Sequence, residues 1–256
     1  MKRFISLLAA AWLFTGCSLL TGINWDHERI ASATGKAVAA MSISDEQIVE
    51  LCRQSVAQLD QQNTIDNGAY IARLNRLMAS VGQLNGLKLN YKVYRTDQVN
   101  AFASGDGSVR VFSGLMDLMD DGELMSVIGH EIGHVVHQDT KNALKKAYMA
   151  SAASDLVGAA GTVGAVTQGL AGGIAEALVN AQFSQKQELA ADEFGFEFSV
   201  AMGYSPYSMA KSLEKLRTLS EGGQASKVAQ MFSSHPDNVK RAERARAMAE
   251  NYTKKQ

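Results

Sequence analysis

Cysteine is almost missing from this chain. Cys17 and Cys52 are the two among 256 residues, so a framework of several disulfides is excluded. Cys52 falls with Ile48, Leu51, Val56 and Leu59 at helical spacing, which predicts a small buried apolar residue rather than a reactive thiol. Long apolar runs are also lacking. Phe4 to Phe14 is free of charge but too short for a bilayer, which needs about 20 apolar residues. Met149 to Ile174 is mostly Ala, Gly and Val, yet Asp155, Thr162, Thr167 and Gln168 break it. It reads as a flexible helical flap rather than a span. Neither sign of charge dominates: 25 Lys and Arg stand against 26 Asp and Glu, a net −1. The more basic tail from Asp237 to Lys255 is interrupted by Asp237, Glu243 and Glu250 and reads as a solvated helix face, so no nucleic acid is expected as a partner. No internal repeat is present, and about 215 residues after the N-terminal region suit a single domain.

What is there begins at the N-terminus. Met1-Lys2-Arg3, the uncharged run and Thr15-Gly16-Cys17 have the order of a secretory signal. Gly16-Cys17 resembles the end of a bacterial lipobox, which implies cleavage before Cys17 and lipidation of that cysteine. Phe14 stands where such boxes usually carry Leu. Ser18 follows Cys17 where a retention signal for the inner membrane would have Asp, so the expected location is the outer membrane, facing the periplasm. With Cys17 acylated, Cys52 is the only free thiol. The expected organisation is a signal peptide over 1–16, a lipidated tether over 17–41 and one domain over 42–253.

His130-Glu131-Ile132-Gly133-His134 carries the chemistry. It is the zinc-hydrolase pattern H-E-x-x-H. Positions i and i+4 share one helix face, so both imidazoles can reach one metal with Glu131 beside it. From Leu124 to Val136 the neighbours are almost all apolar or glycine, the pattern of a core helix. Two histidines and a glutamate buried there need a partner, and a metal supplies one. Gly129 and Gly133, also four apart, let another backbone approach on their side.

Elsewhere the pattern is helices, a small sheet, then helices: an α+β fold, mainly α-helical. Ser44 to Gln47 fits a capping box for a helix to about Gln61. A second helix is predicted from Gly68 to Leu84, ended by Asn85-Gly86. Leu87, Leu89, Tyr91 and Val93 alternate with polar residues, as in a strand half exposed to water. Asn100–Ser104 and Val109–Ser113, joined by Gly105-Asp106-Gly107, read as a hairpin, and a helical turn over Leu115–Met119 leads to the motif helix.

A catalytic zinc usually keeps three protein ligands and an open position. His137 lies about 10 Å along the helix from His130, and no glycine after His134 turns the chain back, so it is expected near the site but not as a ligand. Glu188 and Asp192 lie four apart on a probable helix, a like-charge spacing that costs stability unless each has its own role. Glu188 as ligand and Asp192 as acceptor for a ligating histidine would resolve it. With Glu193 and Glu197 nearby, an acidic solvent face is the alternative.

H-E-x-x-H followed about fifty residues later by E-x-x-A-D resembles the gluzincin peptidases of the HtpX and CAAX-prenyl-protease family. Ser234-His235-Pro236 with Arg241 is similar to that family's H-P-x-x-x-x-R element, and Asn100-Ala101-Phe102 through Ser113-Gly114-Leu115 to its substrate strand. The resemblance implies one zinc per chain held by His130, His134 and Glu188, with Asp192 behind a histidine and Glu131 as general base. It implies that His235 and Arg241 flank the site and stabilise the oxyanion or hold substrate. Asn100, Ala101 and Phe102 with Val109, Arg110, Val111, Phe112 and Ser113 would bind substrate, Val109–Ser113 as an edge strand that takes up an extended peptide.

The substrates implied are unfolded or flexible proteins of the bacterial envelope, other envelope proteins being possible partners, with protein quality control as the role. Two alternatives stay open. In one the chain is a holding protein or chaperone with a structural zinc; in the other it is a self-inhibited protease whose His235 occupies the open zinc position. A membrane-embedded prenyl-protein protease does not fit, because the apolar spans are missing.

Overall fold

The structure is a computed structural model and describes residues 44–84, 86–147, 150, 179, 181–236 and 239–255. The signal over 1–16, the tether with Cys17 and, save for Ala150, the 149–174 segment lie outside these residues. Apart from Ala150, the described residues belong to one compact unit made of 42–148 and 168–256. No helix among them is long and apolar enough to cross a membrane.

Helix α1 (Asp45–Gln62) starts at the expected capping box, with Ser44 Oγ accepting from Gln47 N and Gln47 Oε1 from Ser44 N. Cys52 is fully buried on it, packed with Ile48 and Leu144. Helix α2 (Ala69–Met78) is shorter than the sequence suggests. Gln83–Leu84 (β1) and Leu87–Lys88 (β2) pair instead as an antiparallel hairpin in the register Gln83↔Lys88 and Leu84↔Leu87. The antiparallel pairing of these two short strands rules out a helix end here, and Gly86 between them takes the positive φ of 79° found in tight hairpin turns.

The main sheet has three strands, β3 (Asn90–Tyr94), β4 (Ala101–Ala103) and β5 (Ser108–Phe112), in the order β3-β5-β4. The predicted hairpin is present: β4 runs antiparallel to β5, with Phe102 opposite Arg110. Val109–Ser113 is not an edge, however. β3 pairs with β5 in parallel on the other side, so all five β5 residues are buried at the centre of the sheet. Their side chains are occupied as well. Arg110 donates to both carboxylate oxygens of Asp60 and to the carbonyls of Asn90 and Val109, Phe112 packs on Tyr94, and Ser113 Oγ donates to Thr96 O. Asp60 also accepts from Lys92 and Tyr94, which fastens α1 to the sheet through one buried carboxylate. Val93 and Tyr94 are both buried, because the second half of β3 is covered on both faces. β3 and β4 are the outer strands: β3 is bridged at Tyr94 by Ile65, and β4 is buried at all three residues.

Helix α3 (Ser113–Leu118) leads into the motif helix α4 (Asp121–Val136), which opens on a capping box of Asp120 and Glu123. Then come α5 (Gln185–Ala201), α6 (Ser208–Leu219), α7 (Ala225–Ser234) and α8 (Val239–Thr253), with a kink at Ser220–Gln224 between α6 and α7.

Helices α4 and α5 touch almost backbone to backbone. A Cβ on Gly129 would lie 2.8 Å from Phe198 Cδ1 and 3.0 Å from Gly195 Cα, and one on Gly133 would lie 3.2 Å from Ala191 Cα. From the opposite side, a Cβ on Gly195 would lie 2.5 Å from Ser126 O and 2.8 Å from His130 N. The glycine pair therefore does what its spacing suggests, and Gly195 completes the contact. Gly195→Ala is expected to destabilise the protein by about 1–3 kcal/mol, because neither backbone can yield cheaply. Urea unfolding measures this, and an unchanged midpoint would contradict so tight a contact.

Candidate metal centre

Four side chains from three elements point at one spot. His130 and His134 come from α4, Glu188 from the first turn of α5, and His235 from the residue that ends α7. Helical spacing brings His130 Nε2 and His134 Nε2 to 3.2 Å. Glu188 Oε1 lies 3.4 Å from His134 Nε2, and Glu188 Oε2 lies 3.6 Å from His130 Nε2. His235 Nδ1 is 3.2 Å from His130 Nε2 and 3.1 Å from Glu188 Oε1. All four residues are buried.

Further groups hold these donors from behind. His130 Nδ1 lies 2.9 Å from Asp192 Oδ1, and His134 Nδ1 lies 2.9 Å from Asp139 Oδ2. Both rings thus turn Nε2 inward. Arg241, buried on α8, grips Asp192 with two hydrogen bonds of 2.8 and 2.7 Å, reaches Glu188 Oε2 at 2.7 Å and donates to Pro236 O. Its donors are committed to those partners. The expected role beside substrate is therefore replaced by a positioning one: Arg241 lies between two carboxylates that would otherwise repel, which also removes the acidic solvent face as a reading of Glu188 and Asp192.

Burial raises Glu131 to about 7, an increase that the nearby His130, His134 and Arg241 offset only in part. Its Oε1 has no hydrogen-bond partner and lies 3.5 Å from His235 Nε2. Burial also pushes His130 and His235 down. For His134 the same burial is outweighed by Asp139 and Glu188, which raise it to about 9. Burial would raise the carboxyl of Glu188, but hydrogen bonds from His134 and His235 hold it well below its ordinary range. Asp192 is likewise buried, yet Arg241 and His130 bring it down to about 2.

The donor set fits zinc. Nitrogen and oxygen ligands about 2.0–2.1 Å from a tetrahedral ion are about 3.3–3.4 Å apart; five of the six donor pairs here, counting either Glu188 oxygen, are 3.1 to 3.6 Å apart, and all four donors lie within 4.8 Å of one another. The orphaned Oε1 of Glu131, buried beside four convergent donors, fits the same reading.

The sequence motifs bring His130, Glu131, His134, Glu188, Asp192, His235 and Arg241 together. His137 ends α4 with its ring edge against Phe194, outside the donor group. Ala101 and Phe102, with Asn100 just before them, belong to the buried outer strand β4, whereas Val109–Phe112 lie on the central strand and Ser113 starts α3. Two neighbours were not anticipated. Phe183 stacks on His134 with ring centroids 3.9 Å apart. Asp139 returns to His134 because Gln138, a residue other than glycine, takes φ 62° and turns the chain. Beside His235 and Glu131 lies a cavity of about 30 Å³ whose apolar lining includes Val127, Met209, Leu216 and Met231.

The shift of Asp192 has a pH consequence. Its folded pKa lies below the ordinary 3.8, so the stability it contributes is full above about pH 4 and lost as pH falls towards 2. In metal-free protein, Asp192→Asn is expected to flatten the decline in unfolding free energy over that window by on the order of 2 kcal/mol. Denaturant titrations at several pH values measure it, and parallel curves for wild type and variant would contradict the assignment.

Comparison with known proteins agrees with this geometry. Residues 66–249 match the model of peptidase family M48. The chain is 38% identical over 250 residues to metalloprotease LoiP of Escherichia coli K12 and 35% identical over 249 residues to metalloprotease YcaL of the same strain, with 96% of each chain covered in both cases. It is also 29% identical over 186 residues to the beta-barrel assembly-enhancing protease of Yersinia pestis, covering 65% of this chain and 36% of that one. With the family's match spanning most of the chain and enclosing every donor of the buried cluster, this protein belongs to peptidase family M48 and is a metalloprotease.

Proposed function

We propose that the chain is an endopeptidase using one zinc ion per chain, tethered through an acylated Cys17 to the outer membrane and cleaving unfolded or damaged envelope proteins. The observation that carries the catalytic part is the position of Glu131, a buried carboxylate raised to about 7 beside the four donors. The signal-like N-terminus and Gly16-Cys17 support the anchor.

His130, His134 and Glu188 hold the ion, with Asp192, Asp139 and Arg241 fixing their orientation. Zinc bound there supplies a Lewis acid that acidifies water and polarises the scissile carbonyl. Glu131 takes the proton from the attacking water and delivers it to the leaving nitrogen as the C–N bond breaks. Its Oε1, buried and without a hydrogen-bond partner, is free for both transfers. Asp139 hydrogen-bonds the Nδ1 of His134 and Asp192 sits 2.9 Å from the Nδ1 of His130, so each ring presents Nε2 inward.

Extended substrate would pair with the outer side of β4, which packs on α4 and whose three residues are buried, so that this side has to be uncovered for pairing. The bonds Phe112 N to Asn100 O and Ser104 N to Ser108 O, with the register between them, turn Ala101 and Ala103 away from β5. Ala101 N is satisfied by Asn100 Oδ1, and the outward groups of Ala103 have no partner among the described residues. Main-chain pairing on this edge favours flexible or unfolded proteins.

Glu131→Gln is expected to lower casein cleavage by about 10²–10⁴-fold with zinc retained. Equal cleavage by variant and wild type would remove Glu131 from the mechanism. Zinc binding without cleavage by either would favour a holding protein.

One observation favours a restrained form of the enzyme. His235 Nδ1 stands at ligand distance from the other donors, so the position that water needs is filled by the protein. In this state His235 closes the site until substrate displaces it. His235→Ala is then expected to raise casein cleavage several-fold at unchanged zinc content, whereas a fall would make His235 an assistant to catalysis instead.

A further inference from the structure

His134 is held from more directions than the motif requires. Its Nε2 faces His130 and Glu188, while Nδ1 on the far side meets Asp139 Oδ2 at 2.9 Å. Asp139 is only 5% exposed, and its other oxygen accepts a 2.6 Å hydrogen bond from Gln187 Nε2. Gln187 has a second task. Its Oε1 accepts from both the backbone N and the Oγ of Ser184 in the capping box that starts α5, and the next residue is the ligand Glu188. Phe183, immediately before the cap, covers the face of the same imidazole at 3.9 Å. The segment that starts α5 thus controls both the plane and the proton of His134.

The backbone is strained to achieve this. Asp139 reaches Nδ1 because Gln138 adopts φ 62°, a left-handed conformation that costs a residue with a side chain free energy and persists where surrounding contacts enforce it. A carboxylate that accepts Nδ1–H fixes the imidazole tautomer, leaves the Nε2 lone pair free for a metal and increases its basicity.

We propose that Asp139, held in place by Gln187, is a positioning residue for His134 and makes metal affinity depend on the hydrogen-bonded start of α5. This rests on the reading of the four donors as a zinc site, and not on cleavage of any substrate.

The test uses the full chain in detergent and zinc competition against a fluorescent chelator. Wild-type binding is measured first; a wild type that holds no zinc overturns the zinc reading itself, before any variant is compared. Asp139→Leu is expected to weaken zinc binding by about 10–100-fold. Asp139→Asn keeps an acceptor of the same shape without the charge and is expected to weaken it less, by about 5–10-fold. Gln187→Leu should weaken binding too, and Ser184→Ala, which loses the cap hydroxyl but keeps the backbone bond from Ser184 N to Gln187 Oε1 and the bond from Gln187 to Asp139, should weaken it by less than Gln187→Leu. Nitrogen-15 spectra of the metal-free protein, recorded above the His134 pKa of about 9 so that the ring is neutral, report its tautomer, expected to be fixed with Nδ1–H in wild type and mixed in Asp139→Leu. Zinc affinities of both Asp139 variants within twofold of wild type, or an unchanged tautomer in Asp139→Leu, would overturn the proposal. If the leucine variant does not fold, the asparagine variant decides on the same twofold criterion.

Discussion

Everything at this site depends on how closely α4 and α5 approach each other. Histidines four apart on a helix supply only two donors, and the third must come from a neighbour near enough for a short carboxylate to reach. Gly129, Gly133 and Gly195 remove the side chains that would hold the helices apart, and Ala191 adds the least bulk where the axes are closest. Glu188 and Asp192, one and two turns into α5, then face His134 and His130. A single methyl group at Gly195 would meet the backbone of the very residue that ligates, so packing and chemistry share one contact.

Such burial is costly, and the protein answers it with paired charges. Glu131, Glu188, Asp192 and Asp139 lie within a few ångströms of three histidines and Arg241, nearly all of them buried. Arg241 neutralises the two carboxylates of α5 on the side away from the donors, and the donors themselves converge on a space that suits a divalent cation. Removing one member strands another, because an unpaired buried charge costs several kcal/mol. Glu131 is the exception. It has no cationic partner of its own, which keeps its pKa near neutrality and leaves it free to exchange a proton.

Much of the site was legible in the sequence because it is built from local periodicity. His130, Glu131 and His134 follow from helix geometry alone, and the like charges at Glu188 and Asp192 needed a reason that the structure supplies. The family resemblance brought in His235 and Arg241, but not their tasks. Arg241 had looked available to substrate until its donors proved committed to Glu188, Asp192 and Pro236. Less visible were features that depend on long-range pairing. The parallel pairing of β3 with β5 moved the presumed edge strand to the centre, and no pattern within Val109–Ser113 could reveal a third strand on its far side. Asn85-Gly86 suits both a helix end and a hairpin, and the neighbouring short strands decide between them. Asp139 was hidden by the expectation that only glycine turns a chain after a helix, whereas Gln138 adopts the left-handed conformation instead.

The central claim is that one divalent ion occupies the space between His130, His134, Glu188 and His235. Zinc-edge X-ray absorption on the purified protein tests it most directly. The account predicts one zinc per chain with four nitrogen and oxygen neighbours at about 2.0–2.1 Å and no sulfur. Substoichiometric zinc, or a shell of six oxygens at longer distance, would contradict it.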